Sequence, residues 1–246
     1  MALDLNLNVR STVKPKNPLH ARELLNRTRV WLNCYNVDRS LGTQHGRPPT
    51  IHNDDWIASH SEDWWRSSEQ NIKGFDIHTS AYTSELRVVS RFRAKIYSDL
   101  ENPTGLNKVW LSVVSTLRPY AQHLVQNIDF ETLACETDDS LVALRERWQP
   151  IFAANNDPTD LCAKFRMSLI NLAISYARLV ALSIGMKRHS GTTVDPCITR
   201  CWHAACDVCL VVVNELNSAE LSEGAISQRC TAFLMLTSRG IFEAWP

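Results

Sequence analysis

Three observations predict an all-α, multi-helix bundle for this chain. Glycine is scarce, 8 in 246 residues, whereas sheet-rich and phosphate-loop folds usually draw on it for turns and close backbone approach. Apolar residues recur at spacings of three and four through several long segments. The two most apolar segments, 159–185 and the one that follows Asp195-Pro196, are apolar around most of their circumference, as helices in the middle of a bundle are. There is no internal repeat and no low-complexity stretch. We therefore expect one domain over residues 1–246, built of antiparallel helices, with a long irregular Trp-rich loop after the first major helix.

The elements follow in order. The start, from Ala2 to Leu7, is a short apolar piece without a cap, and Lys14-Pro15-Lys16-Asn17-Pro18 breaks the chain after it. Asn17 suits an N-cap and Pro18 the first helical position, where a missing N–H leaves nothing unsatisfied. The helix that follows carries Leu24, Thr28, Trp31 and Tyr35 on one face and ends near Gly42. Residues 42–78 are polar and turn-rich, and each residue before the prolines of Gly46-Arg47-Pro48-Pro49 is pushed away from the helical region. Trp56, Trp64 and Trp65 lie in this stretch, so the loop is expected to pack down. Helical period resumes over 80–98, with Leu86, Val89, Arg93 and Ile96. Asn102-Pro103-Thr104-Gly105 is a turn, and two helices follow over 106–127 and 138–149. The segment 159–185 places Leu161, Phe165, Leu169, Leu172, Tyr176 and Leu179 on one stripe, which Met167, Ile170, Ile174 and Ala177 widen. Gly185 and Lys187-Arg188-His189 suit its C-terminal end. Pro196 opens the next helix, where Arg200, Asp207 and Asn214 form one narrow polar seam. A last helix spans about 221–239.

Composition excludes several classes. A hydrophobic fraction of 44% and a charged fraction of 21% are those of a globular protein. The formal charge is zero, 26 basic against 26 acidic residues, although DNA-reading domains normally carry a basic surplus for the phosphates. The N-terminus has no continuous apolar run of seven residues, and no segment reads as a membrane span of roughly 18–20 apolar residues. An intracellular, reducing setting is therefore expected, with the eight cysteines as mostly buried thiols. Cys197, Cys201, Cys206 and Cys209 have a zinc-like density. Structural zinc sites take close pairs from tight turns, however, and a helix spreads these four around its axis. No metal site is expected. The acidic pairs Asp54-Asp55, Glu62-Asp63 and Asp138-Asp139 read as solvated or capping groups. No nucleophile elbow, phosphate loop, dinucleotide fingerprint or H-E-x-x-H is present, so no catalytic residue is assigned and the chain is not expected to be an enzyme.

The most specific signal runs from Arg27 to Ile51: Arg27 and Arg29 before Trp31, then Asp38-Arg39, then Gly46-Arg47-Pro48, with Ile51, Asp54 and Asp55 after it. It resembles the middle homology region, the regulatory domain, of fungal zinc-cluster transcription factors. A long apolar helix with Tyr176, and a following helix that opens at Cys197 and runs through Ala204-Ala205, agree with the family's order, so the resemblance covers roughly residues 1–215. Physically, Asp38, Arg39 and Arg47 suit a polar clasp that pins the Gly-Arg-Pro turn onto the helix, since an arginine fork satisfies a carboxylate and carbonyls together. Arg29, Trp31, Asp38, Arg39, Gly46, Arg47 and Pro48 are accordingly expected to hold the fold. The family's zinc cluster has two C-x2-C-x6-C halves, and no such pattern occurs here.

The resemblance implies a nuclear regulator of RNA polymerase II transcription, in which this chain is the regulatory module. It also implies that upstream helices of the domain, and the cluster that reads DNA and holds zinc, are missing. Expected partners are co-regulators, a small-molecule effector and a second copy of the chain, with no membrane. A ligand cavity among the central helices is expected near Tyr176, Trp202 and Cys206. The alternative is a helical interaction or scaffold protein with no DNA binding of its own.

Overall fold

The computed structural model describes residues 2–44, 49–51, 55–98, 129–157, 159–188 and 196–216. The elements expected over 102–105, 106–127 and 221–239 lie outside these residues, as do Gly46, Arg47, Pro48, Asp54 and Cys230. Every regular element among the described residues is helical.

Helix α1 (Pro18–Gln44) begins where the sequence predicts, with the Asn17 side chain accepting the His20 N–H at 2.8 Å. Its inner face buries Ala21, Leu25, Trp31, Leu32 and Tyr35. Before it, the turns of residues 2–9 fold back, so that Leu7 packs on Trp31, Leu32 and Ile57. The expected long loop is only partly a loop. Asp55 caps a short helix α2 (Trp56–Ser59), and a 3-10 turn (Ser61–Arg66) follows. Trp64 packs against the Leu7–Trp31 cluster and Trp65 against the main core, as loop anchors should.

Helix α3 (Lys73–Ser98) starts seven residues earlier than its apolar period announces. Its first half contacts neighbours through polar side chains: Asp76, Thr79, Ser80, Thr83, Ser84 and Glu85 are all buried. Helix α4 (Phe130–Asn155) is also longer than the expected 138–149. Asp129 caps it by accepting the Glu131 and Thr132 N–H groups. Pro150 sits inside it at an exposed position, where solvent rather than a packed neighbour meets the irregularity.

Helix α5 (Leu161–Arg188) packs against α3, α4 and α6 (Pro196–Leu210), and α6 continues as a wider π-helical turn to Leu216. The main core joins Ile77 and Ala81 of α3, Leu141, Trp148 and Phe152 of α4, and Ile170 and Ile174 of α5. The most buried face of α5 is thus the one that was expected only to widen its apolar stripe, while Leu161 is exposed. A second cluster joins Phe92 and Ile96, Leu133 and Ala134, Ala181 and Leu182, and Cys197 and Ala204. Gly185 is not a terminal residue. A Cβ there would meet Ala134 Cβ and Cys197 Sγ at 2.8 Å each, so the missing side chain is what lets α4, α5 and α6 close together.

Two helices, Leu161–Met186 and Pro196–Leu216, are long and apolar enough to cross a membrane, contrary to the sequence expectation. Each keeps its helix through polar residues that interrupt any strictly apolar run. A buried core helix passes the same test of length and composition.

Candidate functional site

Of the expected clasp, Asp38 and Arg39 lie among the described residues and Arg47 does not. Asp38, on the third turn of α1 beyond Arg29, takes the N–H groups of Thr50 and Ile51 on its two carboxylate oxygens at 3.0 and 2.9 Å. It therefore ties the chain just beyond Gly46-Arg47-Pro48 back onto α1. Arg39 is buried, with its guanidinium 4.6 Å from the centre of the Tyr35 ring. Arg29 reaches away from this corner altogether. It forms a two-pronged pair with Asp76 of α3, Nε to Oδ1 at 2.7 Å and Nη2 to Oδ2 at 2.8 Å.

Asp76 was missed in the sequence because it falls in the stretch read as loop. Its signal is an acid in the first turn of a helix, where the exposed N–H groups favour negative charge. Fully buried, it also accepts the Asn71 side-chain amide at 3.0 Å and the Ile72 N–H at 2.8 Å. Further along the same seam, Thr83 donates to Asn36 at 2.9 Å and Tyr82 to Ser40 at 3.0 Å. A ladder of polar contacts thus fixes α1 on α3, with Trp64 under the Arg29 guanidinium at 5.6 Å.

A second network joins α4, α5 and α6. Arg178 is buried on α5, and its Nε donates to Asp138 at 2.6 Å and its Nη1 to Asp207 at 2.9 Å. Arg145 donates to Asp207 at 2.8 Å, and Arg200 to Asp138 at 3.2 Å and Asp139 at 2.5 Å. The expected polar seam of α6 is tied to α4 and α5 at Arg200 and Asp207, which stay part-exposed, whereas Asp138 is buried and not a solvated acid. Three arginines face three aspartates across three helices, and the charges balance. Of the other acidic pairs, Asp55 caps α2 and Asp63 is largely exposed beside Arg66, both as read, while Glu62 pairs with Arg147.

Two buried groups on α3 stay outside these networks. Glu85 is 4% exposed, its Oε2 has no hydrogen-bond partner, and burial pushes its carboxyl up to about 8. Burial, helped by the nearby positive charge of Arg166, holds His78 down at about 4. Burial and the neighbouring Glu85 charge push the Tyr82 hydroxyl up to about 12.

Tyr176, Trp202 and Cys206, expected to line a ligand cavity, line neither the cleft beside α1 and α2 nor the one at the α4–α5 junction. Tyr176 is partly buried on α5, where burial raises its hydroxyl pKa. Cys206 is partly buried on α6, and Trp202 stands 69% exposed on the outside of that helix. The cysteines spread around α6 as its geometry requires: Cys197 is buried, Cys201 and Cys206 intermediate, and Cys209 exposed. Cys162 is exposed as well, so the expectation of mostly buried thiols is corrected. Cys197 has Cys135 of α4 beside it, Sγ to Sγ 3.8 Å. No group of three or more His, Cys, Asp or Glu side chains able to hold a metal occurs among the described residues.

An open cleft lies elsewhere, between α1, α2, the 3-10 turn and the N-terminal segment. Its volume is about 360 Å³, and its walls include Leu24, Leu25, Thr28, Ile57 and Trp64. At its edge the Trp56 and His60 rings stack at 4.2 Å, and the Arg10 guanidinium lies 4.0 Å over Trp56. A smaller cleft of about 340 Å³ lies at the α4–α5 junction beside Phe152, Asn156 and Met167.

Compared with protein-family models, curated proteins and solved structures, the chain gives no match.

Proposed function

We propose that this chain is the regulatory domain of a fungal zinc-cluster-type transcription factor, acting on RNA polymerase II transcription in the nucleus through co-regulators and a small-molecule effector. The observation that carries the reading is Asp38. The motif that resembles the family runs over two segments separated by a turn, and Asp38 bonds the second segment to the first through Thr50 and Ile51. That is the role a fold-holding clasp requires.

Charge agrees with a module that does not read DNA. The chain is neutral overall, and Arg29, Arg145, Arg147, Arg178 and Arg200 are engaged with carboxylates. A surface for co-regulators is on hand in α6, which exposes Ile198, Trp202, Leu210 and Val213. Exposed apolar patches of this kind mark contact surfaces.

The same surface suits the second reading, a helical scaffold with no role at a promoter. Tethering the chain to a heterologous DNA-binding domain upstream of a reporter separates the two. A change in reporter output, with no gel shift of the isolated chain on DNA, supports the regulatory reading. An inert tethered chain favours the scaffold, and a salt-sensitive gel shift of the isolated chain contradicts both.

A further inference from the structure

We propose that the cleft between α1, α2 and the 3-10 turn binds a small organic acid, with its apolar body among Leu24, Leu25, Ile57 and Trp64 and its carboxylate on Arg10. This stands independently of the transcriptional reading, because it rests only on the composition of the cleft.

The shape comes first. A cavity of about 360 Å³ lies at the small end of the roughly 300–1,000 Å³ usual for ligand sites, which are mostly apolar with a few placed polar groups. Its walls follow that rule: leucine, isoleucine and indole surfaces, with Thr28, Ser11 and Ser67 as hydroxyls.

The charge at its edge selects the head group. Asp63 lines the cleft, but its carboxylate is paired with Arg66 at 2.5 Å, which offsets its negative charge. Arg10 is different. Among the described residues its guanidinium makes no ion pair, and the contact that places it is the Trp56 ring at 4.0 Å. On the indole, His60 forms a stack at 4.2 Å and an interplanar angle of 13°, so the ring beneath Arg10 is itself held. The result is a positioned guanidinium, with its N–H fork unused, beside an apolar hollow. That fork matches a carboxylate in two-pronged geometry. The ligand class is therefore an amphipathic acid of modest size, in which a branched or aromatic body fills the hollow.

The test is calorimetric titration of the whole chain with hexanoate, 4-methylpentanoate and 3-phenylpropionate, each beside its neutral amide. The expected result is saturable binding of at least one acid, at least about tenfold tighter than its amide and weakened by added salt. Arg10→Gln should weaken that acid about tenfold with no change in thermal stability. Thr28→Trp, which fills the hollow, should abolish binding of acid and amide alike. Should Thr28→Trp not fold, the Arg10→Gln comparison decides alone. No saturable binding of any acid, equal binding of acid and amide, or an unchanged affinity in Arg10→Gln would each overturn the proposal.

Discussion

Replacing Asp76 by Asn is the sharpest perturbation of the α1–α3 contact, because the side chain keeps its shape, loses its charge and exchanges one acceptor oxygen for a donor NH2 group. Asp76 is fully buried and receives four hydrogen bonds, two of them from Arg29. An amide oxygen at the Oδ2 position can still accept from Ile72, Asn71 and Arg29 Nη2, so what is lost is the carboxylate charge and the Arg29 Nε bond at Oδ1, where an NH2 group now meets another donor. Arg29 cannot escape to water easily, since its side chain is 11% exposed and lies between α1 and α3. Removing one partner of a buried ion pair costs about 3–5 kcal/mol, most of it the unpaired charge left behind. For a chain of this size that corresponds to a fall in Tm of about 10 °C. The assay is urea and thermal unfolding of wild type, Asp76→Asn, Arg29→Met and the double variant. The double variant should recover much of the loss, with a coupling of about 2–4 kcal/mol. A loss below about 1 kcal/mol in Asp76→Asn, or strict additivity, would refute the claim that this pair fixes α1 on α3.

Further predictions follow from other parts of the fold. Glu85 has its folded pKa raised to about 8 from 4.5, so the native state holds a proton that the unfolded state releases between those values. Its contribution to stability is therefore lost as pH rises from about 4.5 to about 8. Glu85→Gln should unfold like wild type at pH 4 and be more stable by several kcal/mol at pH 8, as pH-dependent urea unfolding would reveal. His78 works in the opposite sense. With its folded pKa at about 4 against 6.5, its neutral form stabilises the fold fully above about 6.5, and that support is lost as pH falls toward 4. His78→Gln should remove this acid-side loss from the same titration. Gly185→Ala would force a methyl within 2.8 Å of Ala134 and Cys197; overpacking of this kind costs about 1–3 kcal/mol, measured as a lower urea midpoint. Asp38→Ala would leave the Thr50 and Ile51 N–H groups without their acceptor, at about 1–3 kcal/mol. Faster amide exchange at Thr50 and Ile51 is the local readout.

Where apolar period governs, the elements were legible in the sequence. Asn17 and Pro18 start α1 because the cap chemistry is local, and Leu86, Val89 and Ile96 mark α3 because that part of the helix buries hydrocarbon. The first half of α3 was not legible. It packs through Asp76, Thr79, Thr83 and Glu85, and polar residues that find partners at a distance of forty positions carry no signal in a local window. The same limit truncated α4 at Asp138, whose partner Arg178 lies on another helix. The helix expected over 138–149 continues through Pro150 to Asn155, because a proline on the exposed face leaves it intact. For the site, Asp38 holds the backbone of Thr50 and Ile51, which were not expected as its partners, and Arg29 went to Asp76, which no motif names. The cleft at Arg10 was invisible because it needs three separate segments to meet. For Tyr176 and Trp202 the converse holds: helical period places the two residues on apolar helices but does not say which stripe the bundle covers, and Trp202 is exposed.

The most direct test of the regulatory reading is the tethered reporter, run with the outer face of α6 altered. Ile198→Asp with Trp202→Asp places charge at two exposed positions and should leave Tm within a few degrees of wild type, since exposed substitutions usually change stability by no more than about 0.5 kcal/mol. The account predicts that wild type shifts reporter output when tethered and that the double variant does so much less, at equal expression. A tethered wild type with no effect, or a double variant that acts just as strongly, would contradict it.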